Sequence, residues 1–177
     1  MNVPPPAIEL SELNDLSDEA FVATLGDIFE HSPWVAEAVK ERRPFQSLRS
    51  LHAAMVEAVD DAGRRKQREL IRAHPRLAGK RAQAGELTED SGREQASAGL
   101  DALADEQYRR FRNLNDDYEA RFGFLFIIAV KEHDRESILE SFEERLGNDD
   151  ETEFRRALCE IAKIARYRLD ARLKHTD

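Results

Sequence analysis

Cysteine is nearly absent. Cys159 is the one thiol in 177 residues, so no internal disulfide can form, which fits a reducing cytoplasm. Glycine and proline are sparse, at 8 and 6 residues, and fall mostly between periodic segments. An all-β sandwich needs more turns than these supply. Aromatic residues make up 7%, with a single tryptophan. The longest apolar stretch, Phe122 to Val130, is far too short to span a bilayer. Basic charge is short as well: 27 Lys and Arg stand against 36 Asp and Glu, a net charge of -9. Such a chain repels phosphate backbones at long range, which argues against nucleic acid or an anionic membrane as partner. It leaves room for a local basic pocket that takes a small anion. Met1-Asn2-Val3-Pro4-Pro5-Pro6 has no positive region and no apolar core, so it reads as no secretory leader. The terminal Lys174-His175-Thr176-Asp177 is not a peroxisomal signal.

What is present is helical periodicity nearly throughout. Ser17 caps a helix with Phe21, Leu25, Ile28 and Phe29 at helical spacing. Ser32-Pro33 predicts a second start, with Ser as the cap and Pro at the first helical position. Ser47 opens a helix with Leu48, Leu51, Met55 and Val59 on one stripe. Gly63 interrupts it, and Arg64 to Ala73 forms a further helix before Pro75. Arg76 to Thr88 loses the pattern and is expected to be a loop of more than about ten residues, a length that is usually functional or mobile. Helices follow over about Ser91 to Leu103 and about Asp105 to Phe122, the latter with Tyr108, Phe111, Leu114 and Tyr118 as apolar positions. Phe124 to Val130 is a dense apolar run that fits either a buried extended segment or a buried helix start. Asp134 caps a helix to Leu146, and Gly147-Asn148-Asp149 is a stop followed by a fresh cap for a helix to about Leu173. The expectation is an all-α protein, a compact single-domain multi-helix bundle over residues 1–177.

Three stretches carry chemistry. His74 ends a helix ahead of Pro75, and Arg72, Arg76, Lys80 and Arg81 surround it in an otherwise acidic chain. Nearby positive charge favours a neutral imidazole, a neighbouring carboxylate an imidazolium. The plain alternative is a histidine satisfying the last carbonyls of its helix. In Ser91-Gly92-Arg93-Glu94-Gln95, Ser91, Glu94 and Gln95 share one helical face, and a hydroxyl, a carboxylate and an amide together suit a hydrogen-bond-rich small molecule. Ser-x-x-Glu before a helix is also a capping box. On the last helix, Leu158, Ile161, Ile164, Ala165 and Leu169 form an apolar stripe that contains Arg168, with Arg166 at its edge. A guanidinium there needs an anion, either an internal carboxylate or that of a substrate. Cys159 reads as core filler on the apolar side of this helix. No His-Glu-x-x-His, paired-cysteine, calcium-loop, phosphate-loop or dinucleotide pattern occurs.

Taken in order, these stretches resemble the 2-oxo-4-hydroxy-4-carboxy-5-ureidoimidazoline (OHCU) decarboxylase family, which acts in the oxidation of urate to allantoin. The matching text is Phe29-Glu30-His31-Ser32-Pro33-Trp34-Val35, His74-Pro75-Arg76-Leu77-Ala78-Gly79-Lys80, Leu87-Thr88 with Ser91 and Glu94-Gln95, and Phe122-Gly123-Phe124 through Phe126-Ile127-Ile128-Ala129-Val130. Leu146-Gly147-Asn148 and Ile164-Ala165-Arg166-Tyr167-Arg168-Leu169 complete it, so the likeness covers nearly the whole chain. The resemblance implies His74 as catalytic acid, with Glu94 to orient it or hold the ureido arm. It implies a substrate pocket lined by Pro75, by Ser91, Gly92, Arg93, Glu94 and Gln95, and by Phe126, Ile127, Ile128, Ala129 and Val130. The C-terminal arginine that grips the carboxylate falls on Arg168 by the face argument, with Arg166 as fallback. It also implies a cofactor-free, metal-free reaction, a homodimer and a cytoplasmic location. The family usually has proline between the last two phenylalanines of Phe-Gly-Phe-Pro-Phe. This chain has Leu125 there, which frees φ and restores a donor, so a looser segment is expected.

Overall fold

The computed structural model describes residues 6–174. Residues 1–5, within the stretch read as no leader, and residues 175–177, at the end read as no peroxisomal signal, lie outside the described residues. Ten α-helices occur among the described residues: α1 (Leu10–Asp15), α2 (Asp18–Leu25), α3 (Trp34–Val39), α4 (Leu48–Asp61), α5 (Arg64–Ala73), α6 (Lys80–Gln83), α7 (Glu89–Ser97), α8 (Asp105–Phe122), α9 (Arg135–Arg145) and α10 (Asp150–Arg172). Two 3-10 turns, Lys40–Arg42 and Val130–Glu132, interrupt them. Extended pairing among the described residues is limited to one isolated parallel bridge, Ile8 with Leu173. The all-α expectation therefore holds. No helix among the described residues is long and apolar enough to cross a membrane.

The chain forms two compact units. His74–Ile161 is one, and the described residues before and after it form the other. In the flanking unit the expected caps hold the helices. Ser17 accepts the Ala20 N–H at 3.2 Å to start α2, and Ser47 and Ser50 exchange hydrogen bonds in a capping box that starts α4. The α4 stripe buries Leu51, Ala54, Met55 and Val59 and packs on α3. The Ser32-Pro33 start differs by one residue. Pro33 itself occupies the cap, and the Ser32 hydroxyl turns back to donate to the Glu30 carbonyl at 2.9 Å. Ile28 and Phe29, expected to continue the helix from Ser17, are buried just beyond its end.

In the central unit, α8 runs over the expected residues and ends at Gly123, whose φ of 73° is the left-handed stop that glycine adopts without strain. Its buried stripe is Phe111, Asn115, Tyr118 and Phe122 rather than the expected set. Leu114 and Tyr108 are only partly buried. Phe124 to Ala129 is not helical, and Val130 begins a 3-10 turn. Its rings close an aromatic cluster: Phe126 stacks on Phe142 at 3.7 Å between centroids and meets Tyr118 edge-on at 5.2 Å. Asp134 and Asp149 cap α9 and α10 as expected, accepting the Ser137 and Thr152 N–H groups at 2.9 and 2.8 Å. Those bonds, first the one from the backbone N–H, hold both carboxyls below their ordinary range.

Two readings are corrected. The expected loop from Arg76 to Thr88 contains the one-turn helix α6. Cys159 is exposed rather than core filler. The buried stripe of α10 runs through Glu153, Phe154, Ala157, Glu160, Ile161 and Ile164. Cys159 lies two residues from both Ala157 and Ile161, about 200° round the helix from each.

Candidate active site

A cavity of about 500 Å³ opens in the central unit. One wall is the segment His74–Arg76 with Ala78–Arg81. α8 lines it as well, presenting Tyr108, Arg112 and Asn115 at i, i+4 and i+7 spacing. Leu125, at the position where the family pattern has proline, also lines it. His74 is 6% exposed, so its environment is set by the protein rather than by bulk water. Four cationic side chains border the cavity, Arg76, Lys80, Arg81 and Arg112. This is the local basic site that the charge pattern left room for.

The His74-Pro75 segment is clamped from two helices. Asn115 of α8 donates through Nδ2 to the Leu77 carbonyl at 2.9 Å. Arg76 pairs with Asp116, at 2.8 Å, and with Glu119, both on α8. Burial works against the charge on Arg76, but the hydrogen bonds to Glu119 and Asp116 outweigh it and leave its pKa raised. From α7, Gln95 uses both ends of its amide. Oε1 accepts the Ala78 N–H at 2.8 Å and Nε2 donates to the Arg76 carbonyl at 3.0 Å. Ala78 sits at φ 52°, an uncommon conformation for a residue with a side chain, and the Gln95 hydrogen bond holds it there.

Gln95 was expected among the substrate contacts, and its amide is engaged with the loop that follows His74. The capping-box reading of Ser91 is overturned. α7 begins at Glu89 with Thr88 as its cap, and Thr88 Oγ1 accepts the Ser91 N–H at 3.4 Å. Ser91 is thus inside the helix, 4% exposed, on the same face as the 2% exposed Gln95. Glu94 is partly buried, and Arg93 is exposed and pairs with Asp90. Gly92 has open space around it, with the Leu87 Cβ nearest at 4.0 Å from a Cβ built there. α7 packs on the Val130–Glu132 turn, which brings the Ser91–Gln95 helix beside the end of Phe126–Val130.

Arg168 lies in the other unit. It is 5% exposed, and its Nη1 donates to Glu30 Oε2 at 2.8 Å. Arg166 is half-buried, paired with Asp170 one turn along the same helix at 3.1 Å. Arg168 is thus buried in the stripe as its periodicity implies, and the anion beside it is an internal glutamate.

An all-α protein with a buried histidine on the wall of a cation-rimmed cavity has the make-up of an enzyme acting on a small molecule. The comparisons with known proteins are specific. The family model described as OHCU decarboxylase matches residues 14–170. The chain is 47% identical over 165 residues to a 2-oxo-4-hydroxy-4-carboxy-5-ureidoimidazoline decarboxylase of Haloferax volcanii, covering 93% of this chain and 96% of that one. It is 44% identical over 160 residues to the uric acid degradation bifunctional protein PucL of Bacillus subtilis, covering 90% of this chain and 32% of that longer protein. Its fold is similar to a crystal structure of (S)-allantoin synthase, with a TM-score of 0.78 and 28% identity, over 96% of this chain and 55% of that one. The chain belongs to the OHCU decarboxylase family.

Proposed function

We propose that this chain converts 2-oxo-4-hydroxy-4-carboxy-5-ureidoimidazoline to (S)-allantoin and carbon dioxide, with His74 as the proton donor. The observation that carries the assignment of His74 is its place: a buried imidazole on the cavity wall, with its segment fixed by Asn115 and Gln95. As the bond to the carboxylate breaks, its electron pair is taken up by the adjacent ring imine. A proton delivered to the neighbouring ring carbon from one side sets the stereochemistry. His74 supplies that proton, and Glu94 orients it or holds the ureido arm. Pro75 lines the cavity; the α7 segment Ser91–Gln95 and the segment Phe126–Val130 as holders of the ring, and Arg168 as the partner of the carboxylate, rest on the family resemblance. A positioned acid contributes about 10²–10⁴-fold, and alignment of the leaving bond supplies the remainder. The cationic rim suits an anionic substrate, since a cleft of one sign raises the local concentration of the opposite one. The working form is a cytoplasmic homodimer, and sedimentation at the mass of one chain would overturn that part.

The test is a coupled assay. Urate is converted in place by urate oxidase and hydroxyisourate hydrolase, this protein is added, and allantoin is followed by circular dichroism. Rapid growth of the (S) signal, lost in His74→Ala with its helical spectrum unchanged, is expected. A rate no faster than spontaneous decay overturns the reaction, and wild-type turnover in His74→Ala removes it as the acid.

A further inference from the structure

The four cations of the cavity are not equivalent. Arg76 is committed within the fold, to Asp116 and Glu119. Arg81 donates from Nη2 to the Glu86 carbonyl at 3.0 Å, which ties it to the chain after α6. The Lys80 and Arg112 side chains make no hydrogen bond or ion pair among the described residues, and both are exposed. For Arg112 this is a consequence of the layout of α8. Its one acidic neighbour at helical spacing is Asp116, four residues on, and Asp116 is taken by Arg76 instead. The sign of the cavity is also not a by-product of composition. Acidic residues outnumber basic ones by 36 to 27, and α8 itself carries Asp105, Glu106, Asp116, Asp117 and Glu119. Among the described residues, no carboxylate lines the cavity.

We infer that Arg112, with Lys80 in support, is a specificity-determining residue that draws the anionic substrate into the cavity and has no hold on the product. The inference rests on the function proposed above. In that reaction the bond from ring carbon to carboxylate breaks, and the carboxylate leaves as carbon dioxide. Its electron pair passes to the ring imine, and the ring carbon gains one proton. The negative charge is therefore present in the substrate and in neither product. A cation without an internal partner attracts the first and is indifferent to the others. A cation already paired, such as Arg76, has its field largely cancelled by its own carboxylates. The net charge of -9 opposes capture from a distance, so attraction must come from groups at the cavity itself. At about 150 mM salt the screening length is about 8 Å, which quiets remote carboxylates and leaves the nearest cations in force.

Capture precedes chemistry, so the quantity to read is kcat/KM and its response to salt. The substrate is first formed to completion from urate, and this protein is then added at a substrate concentration well below KM. The exponential growth of the (S)-allantoin signal gives kcat/KM directly. In wild-type protein it is expected to fall about threefold between about 150 mM and 1 M sodium chloride. Arg112→Glu should lower it about fivefold at 150 mM and remove most of the salt response. Arg112→Lys should stay within about twofold, because attraction at this range reads charge rather than the shape of the guanidinium. Arg110→Glu makes the same change in net charge about 200° round α8, and should also stay within about twofold. Equal losses in Arg112→Glu and Arg110→Glu overturn the inference. So does an Arg112→Glu protein whose kcat falls in proportion with the salt response intact, the mark of a merely structural loss. A wild-type kcat/KM that is flat or rises with salt overturns it without any variant. Wild-type protein without turnover overturns the proposed function instead, and this inference with it.

Discussion

Two arginine–glutamate pairs among the described residues have both partners buried, one in each unit, and they are built differently. Arg168 meets Glu30 138 residues away in sequence, and its Nη1 also lies 3.4 Å from the Ile28 carbonyl. Arg145 meets Glu153 across the turn between α9 and α10. Glu153 there also receives the Tyr118 hydroxyl and, at 2.9 Å, the Asn148 amide. Burial, and then the hydrogen bond to Glu153, push the Tyr118 phenol well above its usual value, so it remains a neutral donor. The Arg145 pair is thus the hub of a network in which two neutral donors share the carboxylate. Such a network fixes a geometry, and here it fixes the Ile127 carbonyl, which accepts Arg145 Nη1 at 2.7 Å. The Arg168 pair ties a helix to the loop after α2, and it holds the arginine proposed to take the substrate carboxylate.

Removing one carboxylate should separate the pairs by magnitude. Glu153→Ala strands a buried guanidinium and also leaves Tyr118 and Asn148 short of an acceptor. A loss of about 3–5 kcal/mol in urea unfolding is expected, the largest effect predicted here. Glu30→Ala should fall at the lower end of the same range. Replacing a whole pair by apolar residues tests function instead. Arg168→Met with Glu30→Leu should unfold near the wild-type urea concentration, because well-packed apolar residues often match a buried ion pair. Its turnover should be lost if Arg168 holds the carboxylate, and normal turnover would remove Arg168 from the site.

A smaller contrast lies in the caps. α2 and α4 of the flanking unit start on serines, whereas α9 and α10, whose first turns lie in the central unit, start on Asp134 and Asp149. Both aspartates have folded values lowered from 3.8 by N–H groups at their helix starts. Their contribution is complete above that ordinary value and is lost as pH falls through the lowered ones. Amide exchange at α9 and α10 should therefore accelerate on acidification before that at α2 and α4. Simultaneous loss in all four would show the caps to be irrelevant. The smallest effect is at Cys159. An exposed thiol should react stoichiometrically with a disulfide reagent in the folded protein, and Cys159→Ser should change stability by no more than about 0.5 kcal/mol.

The same two pairs show what was legible beforehand. Arg168 stands inside a long apolar stripe, so its need for an anion could be read from periodicity alone. Arg145 closes α9 and Glu153 lies in the first turn of α10, where basic and acidic residues have an ordinary explanation in the helix dipole, and neither drew notice. Helix ends at Ser17, Ser47, Gly63, Gly123, Asp134 and Asp149 were readable because cap chemistry is local. The short helices α1 and α6 were not, since one turn carries too little periodicity. The form of Phe124–Val130 stayed open because Arg145 and Glu160, far along the chain, decide it through hydrogen bonds to the Ile127 carbonyl and the Ala129 N–H. His74-Pro75 was found by motif, but the grip of Gln95 on residues 76 and 78 depends on partners 19 and 17 positions away. Leu125 lies on the cavity wall beside that loop, so the departure from the family pattern falls at the site itself.

Ala78 restricts what variation the site can accept. Its φ of 52° disfavours β-branched side chains and favours glycine, asparagine, aspartate and histidine beside the resident alanine. Its 1% exposure works against the three polar candidates, which would arrive without partners. Glycine would relax the folded loop and free the unfolded chain at once, two changes that oppose each other in stability. The position four residues after the proposed proton donor therefore has a short alphabet, and drift at this corner of the pocket has little room.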